Sequence, residues 1–268
     1  MRRKSPVWCL GGAWLTNGLC LLDLSIDATV DDMHMSLKST LDQMWTHAYQ
    51  LNQANILQLL SNLEVANFLD LGCDDGSWTR ECAIKLRLPL RSVTGLDIVP
   101  ERLEVAERRG IGSVLCDLGN IWPLQDDSYD LIHANQVIEH MASVDHFASE
   151  TWRVLKQRGR AIISTESTSS WCNVGASALG WQMFSLTNVS SSRGSIGNPL
   201  ALHRNADGGL SSWTHKTLFS FRGLSEFFEA HGFRVLKIQG AGYFPFPSSL
   251  GKRWPRNAHF LTLMVEKL

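Results

Sequence analysis

The sequence contains no Cys-x-x-Cys pair and no His-x-x-x-His pair among its six cysteines and nine histidines. Such short spacings are what hold zinc, so no metal is expected. The cysteines, at 9, 20, 73, 82, 116 and 172, also lack the density of a disulfide framework. Cys73 sits in a glycine-containing turn and Cys116 ends an apolar run, which suits reduced thiols in a cytoplasmic protein. Excess charge is missing too: a formal net charge of -1 gives no electrostatic footprint for nucleic acid, which is not expected as a partner. No unbroken apolar run is long enough for a stable membrane span. Arg2, Arg3 and Lys4 followed by Val7 to Leu22 mimic a signal peptide, but Gly11, Gly12, Thr16, Asn17 and Gly18 interrupt the run. There is no internal repeat.

What is present is enough apolar residue, 44% of 268, for one α/β domain with an elaboration. Residues 1–36 read as an N-terminal appendage, poorly ordered, and 37–268 as the domain. Apolar residues at Leu41, Met44, Trp45, Ala48, Leu51, Ile56, Leu59 and Leu60 predict one or two amphipathic helices over 37–63. A strand at 65–71 then runs into Gly72-Cys73-Asp74-Asp75-Gly76, with Ser77 a candidate N-cap for a helix to Leu86. Glycine lets a backbone approach a ligand closely, and the unpaired N–H groups of the next helix face the turn.

The alternation continues. A strand 92–97 ends at Asp97. A helix starts at Pro100 and closes on Arg108-Arg109-Gly110, and a strand 113–117 ends at Asp117. A fourth strand, 128–134, leads through Asn135 to a helical stretch with Val137, Ile138 and Met141. Asp145 is the expected cap of a helix that Gly159 ends before a strand at 161–164. Five strands alternating with helices predict a doubly wound parallel sheet. Periodicity fails over 167–214, where serines and glycines mix with Trp171, Trp181 and Trp213; this reads as a lid rather than a linker. The chain closes with a helix around 221–230, a strand 233–238, a loop rich in Pro and Gly, and a strand 260–265.

Phe68-to-Gly76, Asp97, Asp117, Trp122-Pro123-Leu124-Gln125-Asp126-Asp127-Ser128-Tyr129-Asp130, Asn135-to-His140 and Arg153-Val154-Leu155-Lys156, in this order, resemble class I S-adenosylmethionine-dependent methyltransferases of the type 11 group. The resemblance implies a Rossmann-like, seven-stranded, mostly parallel sheet whose last strand is inserted antiparallel, with the cofactor at the carboxyl ends of the strands. It also implies S-adenosyl-L-methionine as cofactor. Asp70, Gly72, Cys73 and Gly76 would border its methionine part, Asp97 would hold both ribose hydroxyls, Asp117 and the backbone at Leu118 would read adenine, and Asn135 would lie near the methyl group. The family usually has glycine where this chain has Asp74. Two carboxylates in that turn would repel the pyrophosphate of a dinucleotide, whereas a sulfonium and an ammonium suit them.

Methyl transfer needs orientation and desolvation and, for some acceptors, a base. Glu139-His140, His203 and His215 are candidates for acid–base work, though each could serve structure alone, and His133 reads as a satisfied core histidine. The expected function is methyl transfer to a small-molecule or lipid-like acceptor. A binding module or partner subunit that keeps the fold without turnover is the alternative.

Overall fold

The computed structural model describes residues 20–201 and 211–268. It divides into two units at residue 40, and the sheet and the site described below belong to the second, 41–268. Helix α1 (Cys20–Leu60) is a single helix where one or two were expected, and it starts inside the stretch read as an appendage. Residues 1–19 and the candidate His203 lie outside the described residues.

The strands are β1 (Phe68–Leu71), β2 (Val93–Asp97), β3 (Gly112–Leu115), β4 (Tyr129–Asn135), β5 (Leu155–Glu166), β6 (Phe233–Ala241) and β7 (Phe260–Lys267). They form one sheet in the order β3-β2-β1-β4-β5-β7-β6. The first five are mutually parallel, and β7 runs antiparallel to both of its neighbours. The sheet is therefore the doubly wound, seven-stranded one, with β7 inserted between β5 and β6.

Successive residues along the central strands enter opposite layers, as a period of two requires. Leu69, Leu71, Ile132, Ala134 and Ile163 pack with Phe147, Val154, Leu224 and Phe228 on one face. Those partners come from α4 (Val144–Val154) and α6 (Phe221–Ala230). Phe68, Leu131 and Ile162 point the other way, onto Ile56 and Leu60 of α1, Cys82 and Ala83 of α2 (Ser77–Leu86) and Ala106 of α3 (Pro100–Arg108). Burial on both faces is why these strands read as continuous apolar runs.

Three local expectations are corrected. The N-cap of α2 is Gly76, at φ 75°, with Ser77 inside the helix; the capping oxygen is that of Asp75, which accepts the Ser77 N–H at 2.9 Å. The cap of α4 is Ser143, whose hydroxyl accepts the His146 N–H at 3.4 Å, and not Asp145. Gly159 does not end that helix: β5 begins at Leu155 and passes through a register shift opposite Tyr129 and Leu131, with Arg158 at φ 64° absorbing the irregularity.

The stretch 167–214 contains α5 (Trp171–Ala178) and buried polar residues. Asn173 donates to the Ser167 carbonyl at 2.8 Å and to the Ser185 hydroxyl at 2.9 Å, which ties the stretch to itself, while the Ser169 hydroxyl donates to the Arg256 carbonyl at 2.6 Å and the Asn257 amide donates to the Ser169 carbonyl at 2.8 Å, which tie it to the domain. Between β6 and β7 lies the short α7 (Ser249–Arg253). Among the described residues, no helix is long and apolar enough to cross a membrane.

Candidate active site

A crevice of about 830 Å³ opens beyond the carboxyl ends of β1, β2 and β4, within the size range of ligand sites. Gly72, Asp97, Asp117, Leu118 and Asn135 line it, as do Asp74, Arg102, Val137, His140, Trp213 and Thr214. Three of the expected residues do not. Asp70 is buried beneath the turn, accepting from the Thr79 hydroxyl at 2.5 Å and pairing with His133 Nδ1 at 2.6 Å. His133 is fully buried, and its Nε2 accepts the Trp78 indole N–H at 3.5 Å, so Asp70 and Trp78 satisfy both ring nitrogens. Cys73 is also buried, packed against Gly95, where an added Cβ would meet its Sγ at 2.5 Å. Burial first, then the carboxylates of Asp70 and Asp97, push the Cys73 thiol far above its ordinary range, which keeps it protonated. Gly76 serves the helix start.

The turn from β1 to α2 is shaped from both ends. Gly72 at φ 67° and Asp74 at φ 49° occupy the left-handed region, which aspartate tolerates better than most residues. The Asp97 carboxylate accepts the Asp74 N–H at 2.9 Å through Oδ2 and the Val99 N–H at 3.0 Å through Oδ1. One aspartate thereby ties the loops after β1 and β2 together and is itself fixed in orientation. Asp117 is fixed similarly, by the Gly119 N–H at 2.9 Å.

The acids of the turn are not bare. Arg102 pairs with Asp74 at 3.2 Å, and Arg109 pairs with Asp75 at 2.7 Å while also donating to the Asp75 carbonyl. Asp75 is not among the residues that line the crevice. The charge repelling a pyrophosphate thus comes down to Asp74, partly compensated by an arginine, so the charge argument against a dinucleotide is weaker than the sequence suggests.

Asn135 is held by residues that sequence reasoning missed. Asn52 of α1 donates to its Oδ1 at 3.1 Å, and the Asn135 amide donates to the Tyr49 hydroxyl at 3.4 Å. Asn52 is fully buried, and its own carbonyl oxygen accepts from Ser164 at 2.8 Å and Thr262 at 2.7 Å. An Asn among the polar residues of an amphipathic helix carries no signal for this. Only the topology brings positions 52, 135, 164 and 262 together.

A second missed arrangement lies on the opposite wall. Residues 214–217 are stitched to 138–141. The Lys216 and Thr217 N–H groups donate to the Glu139 carbonyl at 2.7 and 3.1 Å, the Lys216 ammonium to the His140 carbonyl at 2.8 Å, and the Thr217 hydroxyl to that of Met141 at 3.2 Å. His140 and His215, candidates 75 positions apart, thereby meet with ring centroids 4.8 Å apart. Burial, and then His215, push the His140 pKa down to about 4, which leaves that ring neutral at physiological pH. Burial pushes the Glu139 carboxyl up to about 8, assisted by the nearby Glu166 and opposed by hydrogen bonds that include one from Thr165 at 3.0 Å. Behind this wall His259 Nδ1 lies 3.3 Å from the Cys172 sulfur and Nε2 lies 3.7 Å from Glu166.

The residues of the crevice suit a cofactor with a ribose, an adenine and cationic groups. Asp97 is a fixed bidentate acceptor, Asp117 sits beside the Leu118 backbone, Gly72 allows close approach, and the cavity wall carries three carboxylates. With the inserted antiparallel strand, this defines the class of S-adenosylmethionine-dependent methyltransferases.

The family follows from comparison with known sequences. A model described as a methyltransferase domain matches residues 44–238, and the chain belongs to that family, whose cofactor is S-adenosylmethionine. Curated relatives include demethylmenaquinone methyltransferase of Symbiobacterium thermophilum, 33% identical over 103 residues that span 36% of this chain and 41% of the relative. Another is demethylmenaquinone methyltransferase of Thermotoga maritima, 26% identical over 58% of this chain and 63% of the relative. The chain spans less than two-thirds of the length of each curated relative it matches, from 37% to 63%. Among solved structures, a SAM-dependent methyltransferase of Thermotoga maritima superposes with a TM-score of 0.54 at 18% identity, over 86% of this chain and 96% of its own, a likeness of fold.

Proposed function

We propose that the chain transfers the methyl group of S-adenosylmethionine to a small or lipid-like acceptor, with Asp97, Asp117, Leu118, Gly72 and Asn135 holding the cofactor. The observation that carries this is the doubly anchored Asp97 carboxylate at the end of β2, facing the crevice with two oxygens already oriented. Two hydroxyls on adjacent carbons need such a bidentate acceptor, and a pre-oriented carboxylate loses little entropy on binding them. Asp70, Cys73 and Gly76 support the turn from behind: Asp70 braces Thr79 and His133, and Cys73 fills the space over Gly95.

When bound, the cofactor supplies an activated methyl group with its leaving group in place. The work left to the chain is to align an acceptor, exclude water and accept a proton where the acceptor carries one. Asn135, locked by Asn52 and Tyr49, gives a rigid polar floor. Val137, Met141 and Trp213 give an apolar wall, which supports an acceptor with apolar surface. Two relatives carry the name demethylmenaquinone methyltransferase, an acceptor of that character. We assign Trp213 and Thr214, with the described residues of 167–201, to the acceptor side, and His140 and His215 are the polar groups proposed there. Isothermal titration with S-adenosylmethionine and S-adenosylhomocysteine tests the reading. Heat of binding that is lost in Asp97→Ala is expected, and no heat with either ligand at near-millimolar concentration would overturn it.

A further inference from the structure

We propose that Glu139, His140 and His215 form a binding site for one divalent transition-metal cation on the crevice wall. One donor atom from each lies within 4.8 Å of the others, and two of the three residues are buried. Two imidazoles and a carboxylate are the donor set of zinc and of non-haem iron, whereas magnesium and calcium call for oxygen throughout. The sequence expectation of no metal rested on short ligand spacings. Here one ligand comes from 75 residues downstream, and the five hydrogen bonds between 138–141 and 214–217 create the proximity.

The surroundings are those of a ligand set and not of a chance contact. His140 Nδ1 faces the Thr214 carbonyl at 3.2 Å, and His215 Nδ1 faces the Ser185 carbonyl at 2.6 Å. A carbonyl can only accept, so each Nδ1 carries the proton, and Nε2 is the nitrogen of each ring with the chemistry of a ligand. Metal-bound histidines are held in the same way, by a backbone carbonyl on the other nitrogen. Glu139 is the independent sign. It is fully buried; Oε2 accepts from Thr165, and Oε1 has no hydrogen-bond partner. A buried carboxyl oxygen without a partner is destabilising, because it has given up its hydrogen bonds to water. A cation bound by Oε1 removes that cost. Donors around zinc at about 2.0–2.2 Å stand closer together than 4.8 Å, so binding would draw the three inward. Three protein donors leave a coordination position for water or for an acceptor atom, and His140 and Thr214 put the site at the crevice edge.

The test uses the full chain after treatment with a chelator, titrated with Co²⁺ and followed by its visible absorption, with Zn²⁺ as competitor. Expected is one equivalent of Co²⁺ with intense bands of a low-coordinate nitrogen and oxygen site, bleached by Zn²⁺. Affinity should fall at least about tenfold in His215→Ala and in the near-isosteric Glu139→Gln, and should be unchanged in His146→Ala, a histidine outside the cluster. A wild-type spectrum that stays that of the aqua ion overturns the proposal whatever the variants do. So does equal Co²⁺ affinity in wild type and both ligand variants. S-Adenosylhomocysteine binding on the same preparation reports separately on the cofactor reading, since loss of one signal with the other intact identifies which inference failed.

Discussion

Removing the Asp97 side chain subjects the site to its most direct trial. The carboxylate has two jobs, and they differ in size. Within the protein it accepts the N–H groups of Asp74 and Val99, the first at an exposed position and the second half-buried. Water can replace an acceptor there, so Asp97→Ala should cost roughly 1 kcal/mol of stability and lower Tm by about 2–4 °C. Toward the cofactor it would lose two charge-assisted hydrogen bonds at about 1.5–2 kcal/mol each, against partial compensation by water, for a net loss of about 2–4 kcal/mol. That is a ~30- to 1,000-fold rise in Kd. Isothermal titration with S-adenosylhomocysteine, beside a thermal melt, separates the two effects. Asp97→Asn keeps the shape and one acceptor oxygen, and should fall between wild type and alanine. A Kd for Asp97→Ala within about threefold of wild type, with the fold intact, refutes the ribose assignment; a collapse of Tm well beyond the stated range refutes the division of labour.

Asn52→Ala strands the Ser164 and Thr262 hydroxyls and the Asn135 side-chain carbonyl oxygen, and should cost about 2–4 kcal/mol in urea unfolding, with weaker cofactor binding as well. Unchanged cofactor affinity would mean that Asn135 does not need its brace. Arg153 binds Glu150, Asp126 and the carbonyls of Trp122 and Leu124, so Arg153→Ala, which leaves the mostly buried Glu150 uncompensated, should destabilise by about 3 kcal/mol, and a loss under about 1 would show the network to be ornamental. Hydrogen bonds from Ser77 first, then Arg109, hold the Asp75 pKa down to about 2 from its ordinary 3.8. A depressed pKa stabilises above the unfolded value and ceases to do so as pH falls through the folded one, so the stability gap between wild type and Asp75→Asn should be constant above about pH 4 and shrink toward pH 2. A gap independent of pH over that window would refute the pairing. Trp213→Ala should raise the acceptor KM and leave cofactor affinity within about threefold, and the reverse would move Trp213 to the cofactor side.

The sheet was legible because its central strands are buried on both faces and its turns carry glycine and acid at their ends. Asp97 and Asp117 could be picked out as strand-end acids, and the structure puts both on the crevice. Asp70, chosen by the same rule, lies below the turn. A strand-end position does not tell which way the side chain faces, and Asp70 shares its face with Phe68 and His133. Caps were misjudged by a residue or two because the true caps, Gly76 and Ser143, stand close to Ser77 and Asp145, residue types that cap helices at least as often. Gly159 resembled a helix stop because the strand irregularity at Arg158 has no signature of its own. What could not be read were the long-range meetings. Asn52 with Asn135, and Glu139 with His215, depend on which chain segments the sheet order brings together, and pairwise proximity over 75 or more positions leaves no periodicity to detect.

The insertion of β7 between β5 and β6 sets the order in which the domain can be completed. Every other strand precedes β7 in the chain, yet β6 touches the sheet only through it. A nascent chain that has not yet released residues 260–267 can form the parallel half, β3-β2-β1-β4-β5, but β6 has no partner and the outer edge of β5 stays open. Open edges of that kind recruit other strands. Closing the gap joins Glu166 to Phe260 across more than ninety residues, so the slow step of folding should be the docking of the last strand, and a holdase that covers the β5 edge during synthesis should raise the yield of folded protein.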